Sequence, residues 1–161
     1  MSDKLNVTTP SDLEIVMTRV FDAPRELVFE ACTKCEHLRH WWGPRRFTLK
    51  SCELDVRQGG KWRIVQTGPE GDEYGFRGEY REIVRPEKIV WTFEFEGMPG
   101  HISLDTMTLE ERDGRTTLTS RSRFDNVEDR DGMIASGMEA GAAETYDRLA
   151  EYLPQLADPS T

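Results

Sequence analysis

The chain has 161 residues, and its 21 Lys and Arg against 30 Asp and Glu give a formal net charge of -9. This length suits one domain with one core, and the negative charge disfavours nucleic acid and anionic membrane surfaces as partners. No apolar run approaches the roughly 18 residues of a membrane-spanning helix, and the polar start lacks the apolar segment of a signal peptide. We therefore expect a single cytoplasmic domain over residues 1–161, with its core between about 13 and 153 and no insertion into a membrane.

The first elements are predicted to be a strand and a short helix. The polar residues Met1–Ser11 are expected to fray, as is the end "ADPST". "LEIVMTRVF", which begins at Leu13, alternates between two faces and is rich in β-branched residues, so it predicts the first strand. "DAPRELVFEAC" follows, with Pro24 suited to a first helical turn and apolar residues at helical spacing.

A second short helix is indicated by Thr33 and Glu36, which match the T-x-x-E pattern of a capping box. The first helix should then end near Cys32, and the second should begin at Lys34. A Gly-Pro pair limits the second helix to about Trp42, because proline cannot continue the helical hydrogen bonds. We expect a bent pair of short helices.

The rest of the chain predicts six more strands and one long helix. Glycine and proline separate the strand segments, as the turns of an antiparallel meander require. Helical spacing returns from about Val127 to Tyr152, with Pro154 as its stop. We therefore predict an α+β fold in which a curved sheet of seven antiparallel strands wraps around a long C-terminal helix and encloses a cavity. The strand segments are "FTLKSCELDV", "GKWRIVQTG", "EYGFRGEYREIV", "KIVWTFEFE", "ISLDTMTLEER" and "RTTLTSRSRF".

The long helix carries an apolar stripe whose middle residues have small side chains. Small residues there either permit close packing on the sheet or leave room for a ligand. The stripe consists of Ile134, Met138, Gly141, Ala142, Thr145, Leu149 and Leu153.

Large aromatic residues recur at every second position, which places each set on one face of its strand. If those faces are concave, the rings line a pocket for a hydrophobic small molecule. A filled core explains the same pattern equally well. Tyr74 and Ser120 are polar groups that could orient a ligand. The candidate ligand-binding residues are Trp41, Trp42, Trp62, Tyr74, Phe76, Trp91, Phe93 and Met138.

The stretch "CTKCEHLRHWW" combines cysteine and histidine, which are common zinc ligands. At about 100° per residue, Cys32, Cys35, His37 and His40 point in different directions around a helix, so we predict no metal. A redox pair of Cys32 and Cys35 is a second interpretation, although the segment lacks the strand-then-helix context of a thioredoxin motif. With only three cysteines, the chain is expected to keep its thiols reduced.

No catalytic residue or cofactor is predicted. His101 lies in the loop "GMPGHIS", but no serine or cysteine carries the motif of a nucleophile. The carboxylates are expected on exposed faces. The glycine-rich turns join strands and lack the strand-to-helix setting of a phosphate-binding loop.

Three segments of the chain resemble the heat-shock-protein-90 ATPase activator-like (Aha-type) branch of the SRPBCC/START-like (Bet v 1-like) superfamily. They are "RVFDAPRELVFEACTKCEHLRHWWGP", "CELDVRQGGKWRIVQTGPEGDEYGFRGEYREIVRPEKIVWTFEF" and "GMEAGAAETYDRLAEYL". Within them, "FDAP", "HLRHWWGP", "D-x-R-x-GG" and "G-x-Y-x-E-I" occur in order. The resemblance spans about Leu13 to Leu153 and implies a helix-grip fold with a deep, mostly apolar cavity. Superfamily members include lipid carriers, hormone receptors, polyketide aromatases and cyclases, and oxygenase domains, so the fold does not select an activity.

The resemblance and the aromatic faces favour a binding or carrier domain for a hydrophobic small molecule over an enzyme. One alternative is a cavity enzyme of polyketide aromatase or cyclase type, which needs a buried ionisable side chain facing the cavity. The other is a heat-shock-protein-90 cochaperone-like protein. The eukaryotic cochaperone contacts the chaperone chiefly through a separate N-terminal domain, whereas some 12 residues precede the first strand predicted here. Many stand-alone members of the branch are bacterial, and we consider a homodimer as a candidate assembly.

Overall fold

The computed structural model describes residues 4–157, which form eight strands and four helices in an α+β arrangement. No helix within this range is long and apolar enough to cross a membrane. Each of the six later strand segments predicted from the sequence coincides with one of the observed strands to within two residues at either end. In chain order, the elements are β1 (Asn6–Thr8), β2 (Glu14–Phe21), α1 (Arg25–Thr33), α2 (Cys35–Trp41), β3 (Thr48–Leu54), β4 (Lys61–Thr67), β5 (Glu73–Val84), β6 (Lys88–Phe95), β7 (Ile102–Arg112), β8 (Arg115–Arg123), α3 (Val127–Ala135) and α4 (Met138–Ala157).

The strands form one sheet in the order β1-β2-β8-β7-β6-β5-β4-β3. Every neighbouring pair is antiparallel. β2 pairs with β8 from Glu14 opposite Arg123 to Phe21 opposite Thr116, so the first long strand lies beside the last. On α4, Leu149 is fully buried in the core. A single antiparallel sheet with a C-terminal helix buried against it is the helix-grip arrangement that the sequence predicted.

The sheet has eight strands rather than the seven predicted, because Asn6–Thr8 adds an edge strand that pairs with residues 16–18 of β2. The expectation that Met1–Ser11 frays is therefore wrong for this segment. A three-residue strand with a single apolar side chain, Val7, is too short for alternation to be recognised. Residues 1–3 and 158–161, where the rest of the fraying was expected, lie outside the described range.

The break between α1 and α2 lies where the sequence predicted it, but the predicted capping box is not formed. Lys34 is the N-cap of α2, and no side chain donates or accepts a capping hydrogen bond there. Thr33 is the last residue of α1, so its Oγ1 donates back to the carbonyl oxygen of Phe29 at 2.8 Å. α2 ends at Trp41 with Trp42 as its C-cap, which places both indoles at the end of the second helix.

The single long helix predicted for the C-terminal region is in fact two helices. Gly137 separates them with a φ of +85°, a left-handed conformation that glycine adopts readily because it has no Cβ. Pro154 does not stop α4, whose last turn continues beyond it. Ile134, assigned to the apolar stripe, is 43% exposed on α3, whereas Leu149 and Leu153 of α4 are buried. Of the two helices, α4 therefore carries the buried residues, and α3 has none.

A disulfide joins Cys35, at the start of α2, to Cys52 on β3. Their Cα atoms are 5.8 Å apart, although 17 positions separate them in the sequence. The expectation of reduced thiols is wrong for these two residues, and the suggested pair of Cys32 and Cys35 is not formed. Cys32 is the free cysteine. The fold overrides the short C-x-x-C spacing because it packs α2 against β3.

Candidate functional site

A cavity of about 380 Å³ lies between the sheet and the helices. Strands β2 and β4 to β8 contribute side chains to one side of it, and all four helices contribute to the other. On α4, Gly141, Ala142 and Thr145 face the cavity, so the slim part of the helix leaves space there. The volume falls at the lower end of the roughly 300–1,000 Å³ typical of small-molecule sites.

Trp91 on β6 is at the centre of an aromatic wall. Its ring stacks on that of Trp62, with centroids 4.0 Å apart, and meets Trp42 edge to face at 6.4 Å. Phe76 and Phe93, 5.4 Å apart, continue the wall along β5 and β6. Because neighbouring rings hold Trp91 on two sides, the wall is a rigid surface for an apolar ligand.

Six of the eight predicted ligand-binding residues line the cavity, and two do not. Trp62 lies behind Trp91 and is 2% exposed; its Nε1 donates to the carbonyl oxygen of Thr92 at 3.1 Å. Tyr74 packs edge-on against Phe47 at 5.6 Å, away from the cavity. A period of two places residues on one face of a strand, but it does not say how far along the strand the cavity extends. The six that line it are Trp41, Trp42, Phe76, Trp91, Phe93 and Met138.

Asp105 on β7 brings a carboxylate into the cavity wall. Its Oδ1 accepts a hydrogen bond from Ser103 Oγ at 3.0 Å, and its Oδ2 accepts one from Trp91 Nε1 at 3.3 Å. Ser122, directly opposite on β8, also hydrogen-bonds the carboxylate. Burial raises the pKa of Asp105, while the hydrogen bonds from Ser122, Ser103 and Trp91 oppose that shift. The part of this half-buried side chain that stays accessible faces the cavity.

Asp105 is not among the predicted site residues, although the segment "ISLDTMTLEER" contains a signal for it. Ser103, Asp105, Met107 and Leu109 occupy alternate positions of β7, so they share one face. Leu109 is 1% exposed, which makes this the inward face. A carboxylate on the same strand face as buried apolar residues is the pattern that could have identified Asp105.

Gln66 on β4 adds a second polar group to the wall. The residue is 8% exposed, and its Oε1 has no hydrogen-bond partner among the described residues. An unpaired buried acceptor costs about 1–3 kcal/mol, so a ligand that donates to it would recover this free energy. Gly43 gives the oxygen its room, because a Cβ at that position would lie 2.5 Å from it.

The remaining ionisable groups of the wall are uncharged at neutral pH. Burial raises the pKa of the Cys32 thiol to about 12, and it also raises the phenol pKa of Tyr80 and Tyr146. No Lys, Arg or His among the described residues lines the cavity. Of the two polar groups suggested to orient a ligand, Ser120 lines the cavity and Tyr74 does not. Among the described residues, Asp105 is therefore the group through which the wall can carry a charge.

The histidines of α2 contact α4 instead of the cavity. The Nδ1 of His37 lies 2.6 Å from the hydroxyl oxygen of Tyr152, and the ring of His40 stacks on the same tyrosine at 4.6 Å. Within residues 4–157, no group of three or more His, Cys, Asp and Glu side chains is arranged to hold a metal ion. The stretch "CTKCEHLRHWW" thus anchors α2 through its disulfide and its histidines.

Comparisons with known proteins relate this geometry to other chains. The family model described as activator of Hsp90 ATPase homolog 1-like protein matches residues 22–154. A crystal structure of a protein from Rhodobacter sphaeroides has a TM-score of 0.90 and 27% identity, covering 95% of this chain and 99% of that one. The AHSA1 protein from Silicibacter pomeroyi has a TM-score of 0.73 and 22% identity, covering 88% and 98%.

A third similar structure is DynU16, a protein from the dynemicin biosynthetic locus. It has a TM-score of 0.69 and 24% identity, covering 90% of this chain and 48% of that chain. Among curated proteins, none matches the sequence.

Proposed function

The chain belongs to the activator of Hsp90 ATPase homolog 1-like protein family, and we propose that it binds a hydrophobic small molecule in the cavity between its sheet and α4. The observation that carries this proposal is the cavity itself, whose wall is mostly apolar and holds three indole rings. Burying apolar surface contributes about 25 cal/mol per Å², so a ligand that covers this wall gains substantial binding free energy. A carrier or binding domain needs no further chemistry.

A fluorescence titration with N-phenyl-1-naphthylamine, a neutral hydrophobic probe, tests the proposal. We expect saturable binding of one probe per chain, with energy transfer from the indoles of Trp41, Trp42 and Trp91, which line the cavity. Binding should also raise the thermal midpoint, because a ligand at about 100 times its Kd adds about 2.7 kcal/mol to the folded state. Absence of saturable binding would count against the proposal.

Two substitutions on α4 form a matched control. Ala142 lines the cavity, whereas Ala140 is exposed on the same helix. Ala142→Leu should weaken probe binding by about tenfold or more, because the added side chain occupies space that the probe needs. Each methylene group that the probe can no longer bury costs about 0.8 kcal/mol of binding free energy. Ala140→Leu adds the same atoms outside the cavity and should leave the probe affinity unchanged. Equal effects of the two substitutions would place the probe elsewhere.

Asp105 supports a second candidate, a cavity enzyme of polyketide aromatase or cyclase type. Such an enzyme needs an ionisable group that faces the bound molecule, and a carboxyl group with a raised pKa can act as general acid or base. The Asp105 carboxylate would take a proton from the carbon between two carbonyl groups. That carbon would attack a carbonyl carbon further along the polyketone substrate. Asp105 would then return the proton to the new alkoxide, before water is lost.

Mass spectrometry separates the carrier from the enzyme. A synthetic poly-β-ketone incubated with the protein would lose water faster than in buffer if the cavity is catalytic, and Asp105→Asn would abolish the acceleration. Recovery of the compound at the rate of the buffer control would leave binding as the function of the cavity.

A further inference from the structure

We infer that the ligand of this cavity is an organic amine, with an aromatic or otherwise apolar body and a protonated nitrogen that pairs with the carboxylate of Asp105. This inference rests on the proposed binding function and specifies the chemical class of the molecule bound. The observations behind it are the charge of the wall, its hydrogen-bonding capacity and the ring beside the carboxylate.

The acidic group of the wall has no basic side chain beside it in the cavity among residues 4–157. Asp105 is the carboxylate of the wall, and no Lys, Arg or His among the described residues lines the cavity. A buried charge without a partner is costly, and a bound cation offsets that cost. An anionic ligand would place a second negative charge beside the first, so the cavity discriminates by the sign of the charge.

The hydrogen bonds of Asp105 leave its carboxyl group with acceptor capacity to spare. Both oxygens accept, one from Ser103 and the other from Trp91, whose indole N–H can only donate. Ser122 supplies a third hydrogen bond. A carboxylate offers about four acceptor positions, so about one is left for an N–H group of a ligand.

Gln66 is an independent observation that points to a hydrogen-bond donor on the ligand. Its Oε1 is an acceptor with no partner among the described residues, and it belongs to a cavity-lining side chain that is 8% exposed. Gln66 lies on β4 and Asp105 on β7, three strands away across the sheet. Gln66 and Asp105 are therefore two separate acceptors, which two donor groups of one ligand would satisfy.

The indole of Trp91 holds the carboxylate in place. Its Nε1 is bonded to Asp105, and Trp42 meets it edge to face at 6.4 Å. A carboxylate held at the edge of an indole is fixed for a directional, charge-assisted hydrogen bond from an N–H group of the ligand.

Three probes with the same ring system test the inference by calorimetry or fluorescence at about pH 7.5, where the amine is protonated and the acid ionised. They are 2-naphthylmethylamine, 2-naphthalenemethanol and 2-naphthoate. We expect the amine to bind about tenfold to a hundredfold more tightly than the carboxylate, the range that a hydrogen bond to a charged group spans. In Asp105→Asn, this preference should fall by about tenfold or more, while the neutral alcohol reports whether the cavity still accepts the naphthyl body.

The outcomes separate this inference from the proposed function. If the amine and the carboxylate bind the wild-type protein equally well, or the carboxylate binds better, the amine inference is overturned and the binding function stands. A preference for the amine that is unchanged in Asp105→Asn also overturns the inference. If none of the three probes binds, both proposals fail. The comparison of amine with carboxylate in the wild-type protein does not depend on the folding of any variant.

Discussion

Arg148 on α4 donates from Nη1 to the backbone carbonyl oxygen of Gly43 at 2.7 Å. The same guanidinium reaches the carbonyl oxygen of Trp42 at 3.2 Å and, through Nη2, that of His40 at 3.2 Å. These carbonyl groups lie at the end of α2, where backbone acceptors lack helical partners. Arg148 therefore fixes the end of α2, and with it the indole of Trp42, against α4.

We expect Arg148→Met to lower the free energy of unfolding by about 2 kcal/mol, since it removes the donors and keeps most of the apolar stem. Denaturant titration measures this loss, and faster hydrogen exchange at the Trp42 amide should accompany it. Arg39→Met, on the exposed side of α2, makes the same chemical change and should stay within about 0.5 kcal/mol of the wild type. Equal losses from both substitutions would contradict the role given to Arg148.

The disulfide between Cys35 and Cys52 should stabilise the fold by restricting the unfolded chain. A loop of this length contributes about 3 kcal/mol in the chain-entropy model. The double substitution Cys35→Ser and Cys52→Ser should lower the denaturation midpoint to that of the reduced wild-type protein. A reductant should destabilise the wild type and leave the double variant unchanged. If the reductant leaves the denaturation midpoint of the wild-type protein unchanged, the disulfide contributes nothing to stability.

The strands and the first two helices could be predicted because their signals are local. Alternation and Gly-rich turns mark each strand, and the break after Thr33 lies where the sequence placed it, even though its hydroxyl bonds backward to Phe29 instead of capping α2. The partner of Cys35 could not be predicted, because spacing in the sequence does not reveal which cysteines the fold brings together. The break at Gly137 was missed because a glycine within a helical pattern is also compatible with a continuous helix.

The candidate site was predicted in part for the same reason. Trp41 and Trp42 could be identified because the end of a helix is visible in the sequence, and Trp91 because it belongs to an alternating set. The inward direction of Asp105 requires knowing which face of β7 the helices cover, which depends on pairing across the sheet. The unpaired oxygen of Gln66 depends on the path of the chain at Gly43, which no local pattern encodes.

The separation of α3 from α4 depends on Gly137. With φ at +85°, any residue with a Cβ is strained there, so Gly137→Ala should cost about 1–2 kcal/mol. Gly132→Ala in α3 is the matched control. An added Cβ at Gly132 meets nothing within 4 Å, and alanine favours a helix by up to about 1 kcal/mol over glycine. Thermal unfolding should therefore shift in opposite directions, and shifts of the same sign would contradict the assignment of the break.

Asp105 should make the protein less stable as pH rises, because burial raises the pKa of Asp105 in the folded state above its value in the unfolded chain. Below the unfolded pKa, near 3.9, the carboxyl group is protonated in both states and imposes no penalty. Between the unfolded and the folded pKa, the folded state binds more protons, so stability falls as pH increases. The penalty is complete above the folded pKa.

Asparagine does not titrate, so Asp105→Asn should be progressively more stable than the wild type as pH rises through this window. Denaturation at a series of pH values gives the difference in unfolding free energy between the variant and the wild type. The contributions of the other titrating groups cancel in this difference. Glu14→Gln should give the opposite slope, since hydrogen bonds from Arg121 and Ser11 lower the pKa of Glu14 and its stabilising contribution is lost as pH falls. The opposite result would be a stability difference between Asp105→Asn and the wild type that falls as pH rises, as it does for Glu14→Gln. In that case the hydrogen bonds to the Asp105 carboxylate outweigh its burial, and its pKa is lowered instead of raised.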